Sequence, residues 1–149
     1  MSEDMTNEKA KKFYNFLTEN KIGYFKSEIY NDEVHTVVFR TELPVQGQQL
    51  PLLLLTDDSI YTMIKILVVP KAAEQKKAVI SEKINALNLQ FKIFKYALTA
   101  EGDIVIDISL PSVAEKFDER LVMSAIDIAY KHLEVTYPEF MQLVWATQQ

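Results

Sequence analysis

The chain has 149 residues, 48% of them apolar and 25% charged, enough for one buried core and too apolar for global disorder. A net charge of −5 with no Lys/Arg run longer than two residues argues against general binding to nucleic acid or an anionic membrane, since phosphate contacts need a basic surface. There is no cysteine, which removes disulfides, thiolate metal sites and cysteine nucleophiles together.

The first residues are acidic and polar, without the basic start and apolar stretch of a secretory signal. Residues 1–5 and 147–149 read as loose ends. Residues 6–20 predict a first helix, with Ala10, Phe13, Phe16 and Leu17 at helical spacing and Thr6 or Asn7 as the cap. Asn20 to Gly23 ends it. Two strands, 24–30 and 34–42, flank a turn at Asn31-Asp32-Glu33; residues 43–49, with Pro44 and Gly47, read as a loop. A second strand pair, 50–56 and 60–69, flanks Asp57-Asp58-Ser59, with Pro51 at a strand start or edge.

Residues 71–88 predict a second helix with Pro70 at its start and a stripe of Ala73, Ile80, Ile84 and Leu87. A third strand pair, 91–98 and 103–110, follows. In the second of these, Ile104, Ile106, Ile108 and Leu110 alternate with Asp103, Val105, Asp107 and Ser109, the period of a strand with one buried face. Ser112 and Glu115 have the spacing of a capping box before a helix that starts near Val113 or Asp118 and runs to Val135. Leu121, Val122, Ala125, Ile126, Ala129 and Leu133 form its apolar face, and Pro138 starts a last short helix. The expectation is a single α+β domain over 1–149, in the order helix, four strands, helix, two strands, helix, with an antiparallel sheet packed with helices.

One surplus stands out. Leu52 to Leu55 and the strand 60–69 are apolar on both faces, with Ile60, Ile64, Ile66 and Val68 on one and Tyr61, Met63, Leu67 and Val69 on the other. A sheet covered on one side alternates more cleanly. Either helices lie on both sides, or a second subunit or bound segment covers the extra face. Leu52, Leu54, Tyr61, Met63 and Leu67 are the candidate partner or dimer contacts.

Reactive chemistry is sparse. His35, expected in a strand, and His132, on the last long helix, are the only histidines, and neither has metal-ligand spacing. Asp57-Asp58 lacks the oxygens and glycine of a calcium loop and reads as turn chemistry. Three glycines cannot build a dinucleotide fingerprint or a P-loop, and no serine lies in a nucleophile elbow. Phe91, Phe94 and Tyr96 interleave with Lys92 and Lys95, but the RNA-binding signature of aromatic strands is absent, so core packing is the better reading. No catalytic residue, metal ligand or cofactor is assigned.

The tract Gly102-Asp103-Ile104-Val105-Ile106-Asp107-Ile108-Ser109-Leu110-Pro111, then a helix closing on Tyr137-Pro138-Glu139-Phe140-Met141, resembles the YbjN-like family, whose members look like the type III secretion chaperone fold. The N-terminal helix with Phe13, Phe16 and Leu17, followed by Gly23 and a strand, is similar too. The resemblance implies an α+β domain, often dimeric, with chaperone-like or regulatory protein binding and no catalytic residues. The expected function is thus a non-enzymatic, cytoplasmic protein-binding module, partnered by itself as a homodimer and by another protein or peptide, with neither nucleic acid nor membrane as partner. One alternative is a small-molecule sensor holding an apolar ligand near Tyr61, Met63 and Trp145, between sheet and helices; another is an enzyme of unknown class using His35 or His132 with an acidic partner.

Overall fold

The computed structural model describes residues 4–146. Within them the chain forms α1 (Glu8–Glu19), β1 (Lys26–Ile29), β2 (Val37–Val45), β3 (Gln48–Thr56), β4 (Tyr61–Val69), α2 (Lys77–Gln90), β5 (Lys95–Leu98), β6 (Ile104–Pro111) and α3 (Glu119–Trp145). The class is α+β and the element order is the expected one. Every strand pair is antiparallel, in the sheet order β1-β2-β3-β4-β6-β5.

Asn7 caps α1 by accepting the Ala10 N–H at 2.8 Å, and Ala10, Phe13 and Leu17 point into the core. Lys9 lies on the same stripe and is buried with them. Its ammonium donates to the carbonyls of Ser59 at 2.7 Å and Tyr61 at 3.1 Å, which ties α1 to the β3–β4 turn. Met5 is also in the core rather than a loose end, whereas residues 1–3 and 147–149 lie outside the described residues.

Several local readings are corrected. Residues 43–49 are not a loop: β2 and β3 run on to a two-residue turn, with Gln46 at φ 49° and Gly47 at φ 80°. Positive φ at both positions suits the right-handed twist of a hairpin. Pro44 is tolerated because β1 pairs only with Val37–Arg40, leaving that part of β2 at an edge. The β1–β2 connection is longer than a hairpin turn. Asp32 closes it by accepting the Thr36 N–H at 2.8 Å, and His35 lies in this connection at φ 54°, not in a strand.

The second helix begins at Lys77, after a 3-10 turn at Glu74–Lys76; Ala73 is exposed and Ala72 takes the buried position. Only Lys95–Leu98 of the tract 91–98 is strand, because Phe91 still caps α2 through its N–H to the Leu87 carbonyl. No capping box forms at Ser112 and Glu115: Ser112 gives its N–H to the Ile60 carbonyl, and Asp118 caps α3 by accepting from Arg120 and Leu121. Leu121 faces solvent rather than the core.

Pro138 does not start a new helix; α3 runs through it for 27 residues. A proline inside a helix leaves the carbonyl four residues earlier without its partner. Here that carbonyl, of Glu134, accepts from the Gln46 side-chain amide at 3.2 Å, and the same amide reaches the Glu134 carboxylate at 3.0 Å. The tight β2–β3 turn therefore supplies what the helix lacks.

All three helices contribute to one apolar cluster on one face of the sheet. Phe39, Leu52, Leu54, Ile64, Ile66, Ile104, Ile106 and Ile108 pack there against Phe13, Ile80, Leu133 and Phe140. Full burial of an aliphatic side chain of this size contributes about 1.5–3 kcal/mol.

Candidate functional site

The strand register decides which residues the helices leave uncovered. Leu52 pairs with Ile66, Leu54 with Ile64, Ile66 with Ile106 and Ile64 with Ile108, all on the covered face. One residue along, Leu53 pairs with Lys65, Leu55 with Met63 and Leu67 with Val105, on the opposite face. Successive strand residues point to opposite sides, so two interleaved apolar sets share the same strands. Leu53, Leu55, Met63, Leu67 and Val105 are half-buried among their strand neighbours and lie outside the helix-packed cluster. Val38, opposite Leu55, is buried beside them.

The five sequence-derived contact candidates therefore divide. Met63, Leu67 and Tyr61, the last 53% exposed, lie on the open face. Leu52 and Leu54 are 0% exposed beneath the helices, so their side chains cannot touch a partner while the domain is folded. Leu53 and Leu55 lie on the open face instead. The unbroken run of four leucines gave no parity signal; only pairing with β4 distinguishes the two sets.

Charge on the open face is largely matched within it. The Arg40 guanidinium lies 2.9 Å from the Glu28 carboxylate, and the Lys65 ammonium 3.1 Å from that of Asp107. Lys26 and Glu42 lie toward the β1–β2 margin. At that corner Tyr24, Lys26, Arg40, Glu42, Pro51 and Leu53 line a shallow depression of about 540 Å³. The surface has an apolar centre and carries two internal ion pairs.

The two histidines sit in unrelated surroundings. His35 Nδ1 is 2.5 Å from the Asp58 carboxylate at the exposed junction of the β1–β2 connection and the β3–β4 turn. Hydrogen bonding to Asp58, then its charge, raises the His35 pKa above the usual histidine value. His132 packs against Phe91 and Phe94, and its Nε2 is 2.7 Å from the Tyr96 hydroxyl. Burial lowers its pKa, with Glu139 opposing and Lys83 adding to the effect. Phe94 and Tyr96 are core residues, as packing predicted, and burial raises the Tyr96 pKa.

Asp57 accepts both the N–H and the hydroxyl of Ser59, at 2.9 and 2.6 Å, which is turn chemistry. Among the described residues no group of three or more His, Asp or Glu could hold a metal ion. Trp145 lies beside Val69 and Tyr137 at the far end of α3, on the helix side of the sheet, so it does not join Tyr61 and Met63 around a common ligand.

Sequence reasoning missed Lys9 and Gln46. Lys9 stands four residues before Phe13, so helical spacing already put it on the buried stripe. No local pattern links Gln46 to a helix carbonyl 88 positions away.

No protein-family model matches the chain, and no curated protein matches it. Among solved structures, the chain is similar to one in the crystal structure of the ExsC-ExsE complex, with a TM-score of 0.47 and 11% sequence identity over 89% of this chain and 91% of that one. Among the described residues no helix is long and apolar enough to cross a membrane.

Proposed function

We propose that this chain is a non-enzymatic protein-binding module, chaperone-like or regulatory, whose open sheet face is covered by a second copy in a homodimer. The whole chain acts as a single domain on this view, in the cytoplasm, with another protein or peptide as its client. Kinship with the YbjN-like family and its secretion-chaperone-like architecture belongs to the same proposal.

The observation that carries it is the uncovered apolar set Leu53, Leu55, Met63, Leu67 and Val105, which lies outside the helix-packed cluster among the described residues. Contiguous apolar surface of this kind usually marks a contact site. A like face suits its centre because Arg40 and Lys65 already have partners there, with Lys26 and Glu42 left at the solvent-facing β1–β2 margin. Two such sheets can pack about 10 Å apart with their side chains interleaved. Burying the exposed remainder of each apolar side chain contributes about 1 kcal/mol, half of a full burial.

Light scattering at micromolar concentration tests the assignment. The wild type is expected at twice its 17.2 kDa chain mass, and Leu55→Asp or Met63→Asp at the chain mass with an unchanged far-UV spectrum. A monomeric wild type, or a dimer indifferent to both substitutions, would refute it. Leu54→Asp cannot serve, because it would unfold the core.

A further inference from the structure

The two edges of the sheet are finished differently. In an antiparallel ladder alternate residues point their N–H and C=O groups at the neighbouring strand, and the rest point them outward. At β5 the outward residue is Tyr96, and the side-chain amide of Asn88 in α2 takes both its groups, donating to the carbonyl at 3.0 Å and accepting the N–H at 2.7 Å. That amide closes the edge as a further strand would. At β1 the Tyr30 N–H goes to the Thr36 carbonyl at 2.9 Å, which makes Lys26 and Glu28 the residues bonded to β2. The N–H and C=O groups of Ser27 and Ile29 therefore point outward. All four residues of β1 are exposed, and among the described residues no side chain bonds those groups.

A bare edge takes an extended strand, and the side chains of β1 select which. Two copies of β1 related by a two-fold axis run antiparallel, and their outward groups meet only when the axis passes through Ser27, Glu28 or Ile29. An axis at Glu28 sets like charges opposite each other, and one at Ile29 overlaps only the end of the strand. An axis at Ser27 sets Lys26 of each copy opposite Glu28 of the partner subunit. Lys26 stands opposite Arg40 on the open face and makes no ion pair among the described residues. Both contacts of Arg40 with Glu28, at 3.1 and 2.9 Å, fall on Oε2, which leaves Oε1 to accept from a second cation. On the helix-covered side the same register brings Ile29, 44% exposed, beside Phe25 of the partner subunit. Phe25 borders a hollow of about 200 Å³ shared with Tyr14, Leu17, Thr18 and Ile22.

We propose that β1 pairs antiparallel with β1 of a second copy about a two-fold axis at Ser27, joining two six-stranded sheets into one. The contact is isologous and closes at two chains. Each sheet keeps its faces on the same side, so the open faces of the two copies adjoin and stay free to be covered. The edge contact is thus separate from the covering of the open face. A strand of four residues buries little surface, which places the pairing above the micromolar range.

The experiment is sedimentation equilibrium of the full chain from micromolar to millimolar concentration, in the Leu55→Asp or Met63→Asp background so that association through the open face does not contribute. The mass should rise from 17.2 kDa toward twice that value and no further, with concentration-dependent amide NMR shifts at Ser27 and Ile29. Adding Lys26→Glu or Glu28→Lys opposes like charges on both sides of the axis and should weaken pairing about tenfold or more. An equimolar mixture of those two variants sets opposite charges face to face again and should associate where neither does alone. The inference is overturned by a constant mass up to millimolar concentration or by growth beyond two chains. It is equally overturned by single variants that pair as well as their parent, by a mixture that does not associate, or by shifts at β5 or the open face instead of β1.

Discussion

Replacing Pro138 by alanine should make the protein more stable, and the size of the gain follows from the contacts of Gln46. A proline in a helix interior costs about 3 kcal/mol relative to alanine. Proline returns about 0.4–1 kcal/mol by restricting the unfolded chain. The Gln46 amide, 3.2 Å from the Glu134 carbonyl, already recovers about 1 kcal/mol. The expected net gain for Pro138→Ala is therefore about 1.5 kcal/mol, or roughly 3–6 °C in Tm for a chain of this length. The reasoning is tested more sharply by a cycle with Gln46→Ala, followed by urea denaturation. Alone, Gln46→Ala should cost about 1 kcal/mol. With alanine at 138 the new N–H serves Glu134, and the cost should fall to a few tenths, what remains of the amide's bond to the exposed carboxylate. Equal costs in the two backgrounds, or a Pro138→Ala protein no more stable than the wild type, would refute this account of the helix.

Leu54→Ala should cost about 2–5 kcal/mol and Leu55→Ala, measured on monomeric protein, less than about 1, although the two are adjacent, because only Leu54 is in the core; matched losses in denaturant titrations would mean the face assignment is inverted. Gly102 has φ 92°, and a Cβ there would stand 2.7 Å from the Ala72 carbonyl oxygen, so Gly102→Ala should cost more than about 1 kcal/mol, and a neutral result by thermal melting would contradict the close approach. NMR titration should place the His35 pKa above the ordinary histidine value, and Asp58→Asn should bring it back; its contribution to stability is complete below the unfolded pKa and is lost as pH rises through the raised folded one, so a His35 that titrates normally would remove the pair. His132 should behave in the opposite sense, titrating below the ordinary value, with stability present above the unfolded pKa and lost as pH falls through the lowered folded one; a normal His132 titration would rule out its burial.

Where one periodicity dominated, sequence and structure agree. β6 alternates strictly and has one covered face, and Asn7 stands where the first helix needs a side-chain acceptor, whereas the last helix takes its cap from Asp118 and not from Ser112. Where two tendencies competed, local reading failed. Gln46-Gly47 lacks the Asn or Asp that usually announces a two-residue turn, and Gln46 holds its left-handed angle while its amide is engaged with Glu134. Pro138 signals a helix break by itself, and only a distant side chain overrides it. The surplus apolar face was visible in composition because β4 is apolar at both parities. Which parity the helices cover depends on pairing with β3 and β6, and so on the whole sheet rather than any stretch of it.

The strand order also sets a timetable for folding. β1 to β4 follow one another through short connections, so their pairing closes only small loops. β6 joins β4 by bringing Ile104 to Val69, a closure of about 35 residues that spans α2 and β5 and costs more loop entropy than the earlier turns. The short β3–β4 closure is therefore expected to form ahead of the β4–β6 pairing. On that order, Leu53, Leu55 and Met63 are expected to share a paired β3–β4 surface before β6 joins it. Pulse-labelled amide exchange should show protection in β2 to β4 ahead of β6. Simultaneous protection of all six strands would mean that the sheet condenses as a single unit.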